Sequence, residues 1–407
     1  MSELPETLAG VSDVDCTGLQ ALVTGSTSGI GRAAALALGR LGADVVVHGR
    51  DPRAGAEVVE ELSRTGGDAT FVQADFADLD AVRALAVAVR EETEGLDLLV
   101  NNAGGLFRNG GLTDAGVEYT FHVNHLSPYL LTTELLGHLR EGARIVTTAS
   151  DAHKGASLDL DRVRGADRYT GFNAYSHSKL ANVLFATELA RRLDATGREV
   201  TSNSIHPGAI PGSGFSRFLP GPLPGLFQRL EAVPGVTSVA DGAAEILFVA
   251  VSPRAAEVSG RYFTNQRPRT PSEAARDGEA SRRLWSESAT LLDIEEPLAE
   301  RDRQPVAAGD GTAPGASDSP SMNHDRIHAR EPTHRRDRWS VGTIASVAER
   351  DGHCVVTVTP EEGETIDLVV TLAVRDLFVS RLDIDEGESP VGERVWYRKH
   401  GGHTSQS

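Results

Sequence analysis

The chain has 407 residues, a formal net charge of −18 at pH 7 and two cysteines, Cys16 and Cys354. This length allows about two domains, and the acidic balance argues against nonspecific binding to nucleic acid or anionic lipid, which both require positive potential. Two distant cysteines give no disulfide framework or metal motif, and no signal peptide or long apolar run is visible, so we expect a cytoplasmic protein without a membrane span.

The first two thirds of the chain have the pattern of a parallel sheet. From about residue 18 to 265, short β-branched runs alternate with longer Ala/Leu/Arg segments of helical period. The strand candidates are LQALVTG, ADVVVHG, ATFVQAD, LDLLVNNAG, ARIVTTAS, EVTSNSIHPG and GRYF. We therefore predict an α/β domain at residues 16–294, with a Rossmann-type doubly wound parallel sheet of about seven strands, preceded by an N-terminal extension at 1–15.

The rest of the chain changes composition twice. Residues 295–333 are rich in Pro, Gly, Ala, Ser and Asp and predict a disordered linker. Residues 334–407 return to strand-like alternation and predict a small, β-barrel-like module of four or five strands. Its nine Arg and Lys against 13 Asp and Glu disfavour nucleic acid. We expect this module to bind a protein partner or to form a homo-oligomer.

The first βα junction, ALVTGSTSGIGRAAALAL, places Gly25, Gly29 and Gly31 between an apolar strand and an Ala-rich helix. Glycines permit a tight turn and let backbone N–H groups approach a diphosphate at the helix N-terminus. A purely structural turn is the alternative. The strand–turn–helix context favours a dinucleotide cofactor.

The second strand ends VVVHGR, where an acidic residue would bind the 2′-hydroxyl of NAD. Gly49 stands in place of that acid, and Arg50 follows it. A guanidinium suits a 2′-phosphate, so NADP is favoured over NAD, with Arg32 as a possible second contact. The alternative is a solvated arginine at a strand end.

Later strand ends supply further polar groups at the same edge of the sheet. Asp75 could accept the adenine amino group or cap the next helix. The segment NNAGG at 101–105 has small residues that permit close approach of a cofactor. The fifth strand ends at Ser150, whose hydroxyl could donate to a substrate carbonyl.

The segment AYSHSKLAN, at 174–182, places Tyr175 and Lys179 four residues apart on a predicted helix. Such a pair is often only a surface contact. A nearby cation would, however, lower the pKa of a phenol from about 10 and make it a tunable acid and base. With Ser150 and a dinucleotide turn, this pair predicts proton and hydride transfer.

These motifs resemble the short-chain dehydrogenase/reductase superfamily over nearly all of residues 18–294. Thr24, Gly25, Gly29 and Gly31 match T-G-x-x-x-G-x-G, and NNAG is present at 101–104. The segments VNHLSPYLLTTELL, SDAH and RLWSES are similar to the retinol-dehydrogenase-like branch, which includes the WW-domain oxidoreductases. The resemblance implies a catalytic set of Asn124, Ser150, Tyr175 and Lys179. It implies that Tyr175 is the acid/base, that Lys179 also holds the nicotinamide ribose, and that Asn124 orders a water.

The resemblance also implies an NADP-dependent oxidoreductase acting on an alcohol/carbonyl pair, and we expect no metal site. The cofactor contacts it implies are Thr24, Gly25, Ser28, Gly29, Ile30, Gly31, Arg50, Asp75, Asn102, Ala103, Gly104, Tyr175, Lys179, Pro207, Gly208 and Ile210. One position departs from the pattern, since Gly212 stands where a threonine would contact the nicotinamide carboxamide, with Ser213 beside it. The Phe- and Leu-containing segment 214–235 predicts a mobile lid and an apolar substrate, with a packed surface loop as the alternative.

Two other functions fit parts of the sequence. A nonenzymatic NADP-binding sensor or scaffold would use the C-terminal module for interaction, but it would not need Ser150, Tyr175 and Lys179 together. An epimerase or dehydratase of the extended branch would show a different glycine spacing from Gly25, Gly29 and Gly31. The sequence does not name the substrate or the direction of the reaction.

Overall fold

The computed structural model describes residues 3–65, 67–107, 111–165, 171–208, 237–299, 326–328, 340–350, 353–360, 365–371 and 389–398. The chain divides into two compact units, Met1–Arg303 and Gln304–Ser407. Each of these units contains one β-sheet in its described part.

The sheet of the first unit is parallel except at one edge. Its strands are β1 (Gln20–Val23), β2 (Asp44–Gly49), β3 (Ala69–Gln73), β4 (Leu96–Asn101), β5 (Leu139–Thr148), β6 (Thr201–Ile205), β7 (Tyr262–Phe263) and β8 (Pro268–Arg269). They lie in the order β3–β2–β1–β4–β5–β6–β7–β8, and β8 pairs antiparallel with β7. The seven predicted strands are confirmed. The eighth has two residues and is too short to produce a sequence pattern.

Helices cover both faces of this sheet. They are α1 (Pro5–Leu8), α2 (Gly29–Arg40), α3 (Pro52–Ser63), α4 (Leu79–Glu92), α5 (Tyr119–Phe121), α6 (Ser127–Leu135), α7 (Gly171–Ala195), α8 (Val239–Val251) and α9 (Gly278–Leu291). Leu22 packs into one apolar core with α4, α6, α7 and α9, while Ala21 and Val23 pack into a second core with α2, α3 and α8. Burial on both sides of β1 is the doubly wound arrangement that the sequence predicts.

Capping residues set the start of several helices. Asp51 and Asp78 accept backbone hydrogen bonds at the N-termini of α3 and α4, and Ser238 belongs to a capping box at α8. Ser28, the N-cap of α2, makes no such side-chain hydrogen bond. The first turn of α2 therefore lacks the side-chain cap that α3, α4 and α8 have. This turn lies at the predicted cofactor site.

The second unit contains an antiparallel sheet of five described strands. They are β9 (Arg326–His328), β10 (Ser340–Arg350), β11 (His353–Pro360), β12 (Ile366–Thr371) and β13 (Arg394–Arg398), in the order β12–β11–β10–β13–β9. Alternate residues of β11, Cys354, Val356 and Val358, are buried in its apolar core. This alternation is the period-two pattern from which an all-β module is predicted, and that prediction is confirmed.

The predicted domain limits stay predictions, although two observations bear on the linker range. Strand β9 lies within residues 295–333, and the indole N–H of Trp285 donates to the carbonyl oxygen of Pro297 at 3.1 Å.

Cys16 and Cys354 are both buried free thiols. Among the described residues, no helix combines the length and the apolar character needed to cross a bilayer.

Candidate active site

Close backbone packing requires glycine at two positions of the first βα turn. Gly25 has a φ of +66°, and a Cβ there would lie 2.9 Å from the Cα of Ala103. A Cβ on Gly31 would lie 2.5 Å from the carbonyl oxygen of Gly25. Backbone atoms cannot move aside as a flexible side chain can, so only glycine fits. The turn between β1 and α2 is therefore packed tightly against the segment that follows β4.

The N-terminus of α2 leaves room for an anionic ligand. Gly29, its first residue, has a φ of +58°, and an added Cβ would meet no atom within 4 Å. The first N–H groups of a helix lack intrahelical acceptors, and here the Ser28 side chain does not cap them. A diphosphate would be favoured there by these donors and by the helix dipole. The residues fit a dinucleotide, which Ser28, Gly29 and Ile30 would hold.

Thr24 joins β1 to the segment after β4. Its hydroxyl donates to the carbonyl oxygen of Val100 at 3.1 Å and accepts from the N–H groups of Asn102 and Ala103 at 2.9 and 3.0 Å. The Asn102 amide donates in turn to the carbonyl oxygen of Thr24 at 3.0 Å. These bonds use the whole hydrogen-bonding capacity of the Thr24 hydroxyl. The side chain of Thr24 therefore shapes the cradle rather than offering a free group to a ligand.

His48 is a residue of this cradle that the sequence analysis missed. Its Nδ1 accepts from the N–H of Gly25 at 3.2 Å, and its Nε2 lies 3.2 Å from the carbonyl oxygen of Ala74. Burial lowers the pKa of His48 to about 4, so the ring is neutral at pH 7. The imidazole thus ties the glycine turn to the end of β3. In the sequence it is an ordinary strand residue before Gly49 and Arg50, and no motif marks it.

The end of β2 has no room for an acidic residue. A Cβ on Gly49 would lie 2.5 Å from the Cγ2 of Thr27. The next side chain, Arg50, is 66% exposed, and its Nη1 lies 3.9 Å from Oδ2 of Asp75. Such an exposed, long ion pair contributes little stability and leaves Arg50 free to reorient. This strand end therefore presents a positive group where NAD-binding proteins present a carboxylate.

The other two groups predicted near the adenosine end have protein partners. Asp75 accepts from the N–H of Ala77 at 3.0 Å and so closes the turn after β3. It does not cap α4, whose N-cap is Asp78. Arg32 donates to the carboxylate of Glu61. Because the guanidinium of Arg32 is already paired with Glu61, Arg50 is the better candidate for a phosphate contact.

Asn124 connects the segment after β4 to α7. It lies in a π-helical turn, His122–Leu126, between α5 and α6. Its amide nitrogen donates to the carbonyl oxygen of Gly105 and to the hydroxyl of Ser178, both at 2.9 Å, and its Oδ1 accepts from the N–H of Gly105 at 2.8 Å. A Cβ on Gly104 would lie 2.6 Å from that Oδ1. The side chain has a positioning role here, and the water-ordering role stays a prediction.

Ser150, Tyr175 and Lys179 converge at the carboxyl edge of the sheet. Ser150 follows β5, and its hydroxyl forms a hydrogen bond with that of Tyr175 on α7. The Lys179 ammonium, in a side chain that is 4% exposed, lies 5.6 Å from the centroid of the Tyr175 ring. It donates to the carbonyl oxygen of Thr148 at 2.8 Å. The predicted catalytic side chains are therefore brought together, with the cation beneath the phenol.

The electrostatic balance at Tyr175 differs from the expectation that a neighbouring cation lowers the pKa of the phenol. Burial raises the pKa of Tyr175, and the hydrogen bond with Ser150 lowers it to a smaller extent. Burial also lowers the pKa of Lys179 to about 8. Desolvation disfavours the charged form of both groups. At pH 7 the pair therefore holds a neutral phenol, a proton donor, above an ammonium that is still mostly protonated.

The segment after β6 is described only at its start. Gly208 has a φ of +92°, and a Cβ there would overlap the side chain of Thr237. Pro207 precedes it at the same edge of the sheet. Ile210, Gly212, Ser213 and the predicted lid at 214–235 lie outside the described residues.

Comparisons with known proteins divide the chain in the same way as its two sheets. Residues 20–217 match the family described as short chain dehydrogenase, and residues 322–399 match a family of unknown function, DUF7861. A Streptomyces protein provisionally named daunorubicin C-13 ketoreductase is 38% identical over 277 residues, which cover 68% of this chain and 93% of that protein.

A second relative and a solved structure are also named as dehydrogenases. Human retinol dehydrogenase 13 is 36% identical over 297 residues, which cover 69% of this chain and 86% of that protein. A crystal structure of a short chain dehydrogenase from Burkholderia cenocepacia in complex with NADP is 30% identical, with a TM-score of 0.50, and the match covers 64% of this chain and 98% of that one. On its fold, its motifs and these matches, the chain belongs to the short-chain dehydrogenase/reductase family and is an oxidoreductase.

Proposed function

We propose that the protein is an NADP-dependent oxidoreductase that interconverts an apolar alcohol and its carbonyl compound, with Tyr175 as the acid and base. The observation that carries the proposal is the hydrogen bond between the Ser150 and Tyr175 hydroxyls above the buried ammonium of Lys179. An acid needs to hold a proton within reach of the reacting oxygen, and this arrangement supplies one.

The chemistry of the proton follows from the three side chains. NADPH, when bound, supplies the hydride for the carbonyl carbon. Tyr175, a neutral phenol at pH 7, donates its proton to the carbonyl oxygen as negative charge develops there. The Ser150 Oγ accepts from the N–H of Ala152 at 3.2 Å, and its O–H donor can form a hydrogen bond to the same carbonyl oxygen. In the oxidation direction the phenolate takes the proton back.

Lys179 stabilises the phenolate that each turnover creates. Its Nζ lies 5.6 Å from the ring centroid in a buried site, where Coulomb attraction is weakly screened. Burial lowers the pKa of Lys179 to about 8, so most of the side chain is charged at pH 7. Burying the Lys179 cation costs desolvation free energy, and the cation stabilises the negative charge that forms on Tyr175 during turnover.

Three features support NADP as the cofactor and NADPH over NADH. The uncapped N-terminus of α2 suits a diphosphate, Gly49 leaves no space for a carboxylate, and Arg50 offers an exposed guanidinium for a 2′-phosphate. The related Burkholderia structure contains NADP. Asn102, Ala103 and Gly104 would lie beside the nicotinamide half, because they follow β4 at the same edge.

An apolar substrate is supported beside Tyr175 itself. Phe172 lies one helical turn before Tyr175 on α7, on the same face, and is 56% exposed. A large exposed aromatic side chain next to a reacting group suits an apolar ligand. One relative is named for retinol, a largely apolar alcohol.

The second unit has no assigned role in this reaction. We propose that residues 334–407 bind a protein partner or mediate self-association, because their net charge is negative and the catalytic set lies wholly in the first unit. A cytoplasmic location also stays a proposal. The nonenzymatic alternative is not adopted, since the full acid/base set is intact.

The proposal is tested with the purified full chain. Panels of aldehydes, ketones and alcohols are offered with NADPH or NADP⁺, and absorbance of the nicotinamide is followed. We expect turnover of apolar substrates and a preference for NADPH over NADH. Tight binding of NADPH without turnover of any substrate by wild type would favour the sensor instead.

A further inference from the structure

The peptide that follows Ser150 is held by a histidine outside the predicted catalytic set. His153 lies in the 3₁₀ turn Asp151–Gly155, directly after Ser150, and its side chain is fully buried. Its Nδ1 lies 2.7 Å from the carbonyl oxygen of Ser150, and its Nε2 lies 3.1 Å from the backbone nitrogen of Ser272. The imidazole therefore bridges the end of β5 and the segment before α9.

The two partners fix which nitrogen carries the proton. A carbonyl oxygen only accepts hydrogen bonds, and a backbone N–H only donates them. Nδ1 of His153 must therefore be protonated toward Ser150, and Nε2 must be a bare acceptor toward Ser272. Burial also lowers the pKa of His153, in agreement with a neutral ring. Protonating Nε2 would remove the bond to Ser272.

The surroundings of His153 leave the ring little freedom to move. The Tyr262 ring meets the imidazole edge-on, with centroids 4.9 Å apart and planes at 70°. The Tyr262 hydroxyl donates to Oδ1 of Asp151 at 2.8 Å, and Lys154 pairs with the same oxygen at 2.7 Å. Both ends of the peptide between Ser150 and Asp151 are thus held, one by His153 and the other by Tyr262.

We propose that His153 is a positioning residue which, as a neutral Nδ1–H imidazole, fixes the Ser150 carbonyl and so aims the Ser150 hydroxyl at the substrate carbonyl. The proposal rests on the proposed role of Ser150. The carbonyl of Ser150 also accepts from the N–H of His153 at 3.1 Å, and the side-chain bond, at 2.7 Å, is the shorter of the two. Rotation of this peptide would displace the following turn, including the N–H of Ala152 that donates to the Ser150 Oγ at 3.2 Å, and so would release the hydroxyl from its position.

Three substitutions separate the two hydrogen bonds. His153→Asn places an amide nitrogen at the position of Nδ1 and keeps a donor for Ser150. His153→Gln places its amide near Nε2 and keeps an acceptor for Ser272. His153→Phe keeps the ring against Tyr262 and removes both bonds. The variants His153→Asn and His153→Gln each lose one of the two hydrogen bonds. If His153 only stabilised the fold, the two substitutions should lower kcat equally.

We expect kcat of His153→Asn to stay within about threefold of wild type, while His153→Gln and His153→Phe lose about tenfold or more, the effect of one hydrogen bond. NADPH affinity and the substrate KM should change little in all three. The thermal midpoints of the Asn and Gln variants should be similar. Equal kcat in these two variants, or a greater loss in Asn, would overturn the proposal.

A second readout does not depend on turnover. Nitrogen NMR of the histidine-labelled full chain, assigned by comparison with His153→Asn, should show a protonated Nδ1 and an unprotonated Nε2 for His153 at pH 7. A proton on Nε2 would overturn the proposal even in an active enzyme. Absence of turnover in wild type, with the expected NMR pattern, would instead count against the proposed reaction and leave the tautomer and its bond to Ser150 established.

Discussion

The ammonium of Lys179 donates a 2.8 Å hydrogen bond to the carbonyl oxygen of Thr148, the residue that ends β5. The amide nitrogen of Asn182, one turn further along α7, donates to the same oxygen at 3.1 Å. Ser150 stands two residues after Thr148, so this carbonyl ties the helix of Tyr175 to the strand of Ser150. The placement of Tyr175 relative to Ser150 therefore depends on contacts with a backbone carbonyl, which a sequence motif does not specify.

Replacing Lys179 with methionine should separate stability from activity. At pH 7 without cofactor, we expect the free energy of unfolding of Lys179→Met to equal or exceed that of wild type, because the substitution removes a buried charge. Turnover should fall by about a hundredfold or more, because the phenolate loses its cation. Denaturation in urea and steady-state kinetics measure the two effects.

The pH dependence of that comparison has a defined sign. The pKa of Lys179 is lowered from 10.5 to about 8 in the folded protein. Between these two values the unfolded chain binds more protons, so wild type gains stability as pH rises, with the cost of the charge fully present below about pH 8. The advantage of Lys179→Met should shrink as the pH rises from about 8 to 10.5. A difference that stays constant with pH would contradict the burial of a charged lysine.

Arg50→Ala should change the choice of cofactor. The NADPH dissociation constant should rise about tenfold or more, as expected for a lost charge-assisted hydrogen bond, and that of NADH should change less than about twofold. Arg32→Ala is the matched control, because Arg32 contacts Glu61 and should leave both constants nearly unchanged. Fluorescence titration measures them. An equal loss of affinity for NADPH and NADH would show that Arg50 does not bind the 2′-phosphate.

Gly25→Ala and Gly10→Ala form a matched pair. The φ values are +66° and +64°, so each alanine should cost about 1 kcal/mol of unfolding free energy. A Cβ on Gly25 would also clash with Ala103, whereas one on Gly10 would meet no atom within 4 Å. We expect Gly10→Ala to keep NADPH affinity and Gly25→Ala to lose it and to unfold more easily. Identical behaviour would mean that the turn is not packed as described.

A chain ending at Glu300 should fold and keep the kcat of the full chain, since the catalytic set lies in the first unit. A chain ending at Ile294 is the control, because it removes Glu296 and Pro297, which contact Arg192 at 2.7 Å and Trp285 at 3.1 Å. We expect the shorter chain to have the lower thermal midpoint. Loss of turnover in a well-folded chain ending at Glu300 would mean that the second unit completes the active site.

The sequence is sufficient to predict the doubly wound parallel sheet and to place the candidate side chains at their turn, strand end and helix. Gly25, Ser150 and Tyr175 belong to short patterns whose spacing reflects a tight turn, a strand end and a helix face, and such local requirements are visible in a sequence. The seven parallel strands followed from alternation of apolar runs, since strands covered on both faces are almost continuously apolar.

The missed features depend on contacts between distant segments. His48 and His153 act through backbone groups of Gly25, Ala74, Ser150 and Ser272, which no local pattern specifies. Arg32 contacts Glu61 on α3, so its availability to a ligand was not predictable from its position in α2. The pKa of Tyr175 is controlled first by burial, and the degree of burial at a helix position comes from the packing of the whole domain.

Tyr175→Phe tests the central claim most directly. The substitution removes the transferable proton and keeps the ring, so NADPH should bind with nearly unchanged affinity. Turnover of the best substrate found for wild type should fall by more than about a hundredfold, the lower end of what general acid catalysis usually contributes. Single-turnover kinetics at saturating cofactor and substrate give the rate of the chemical step. Activity within about tenfold of wild type, with intact NADPH binding, would contradict the role of Tyr175 as the acid and base.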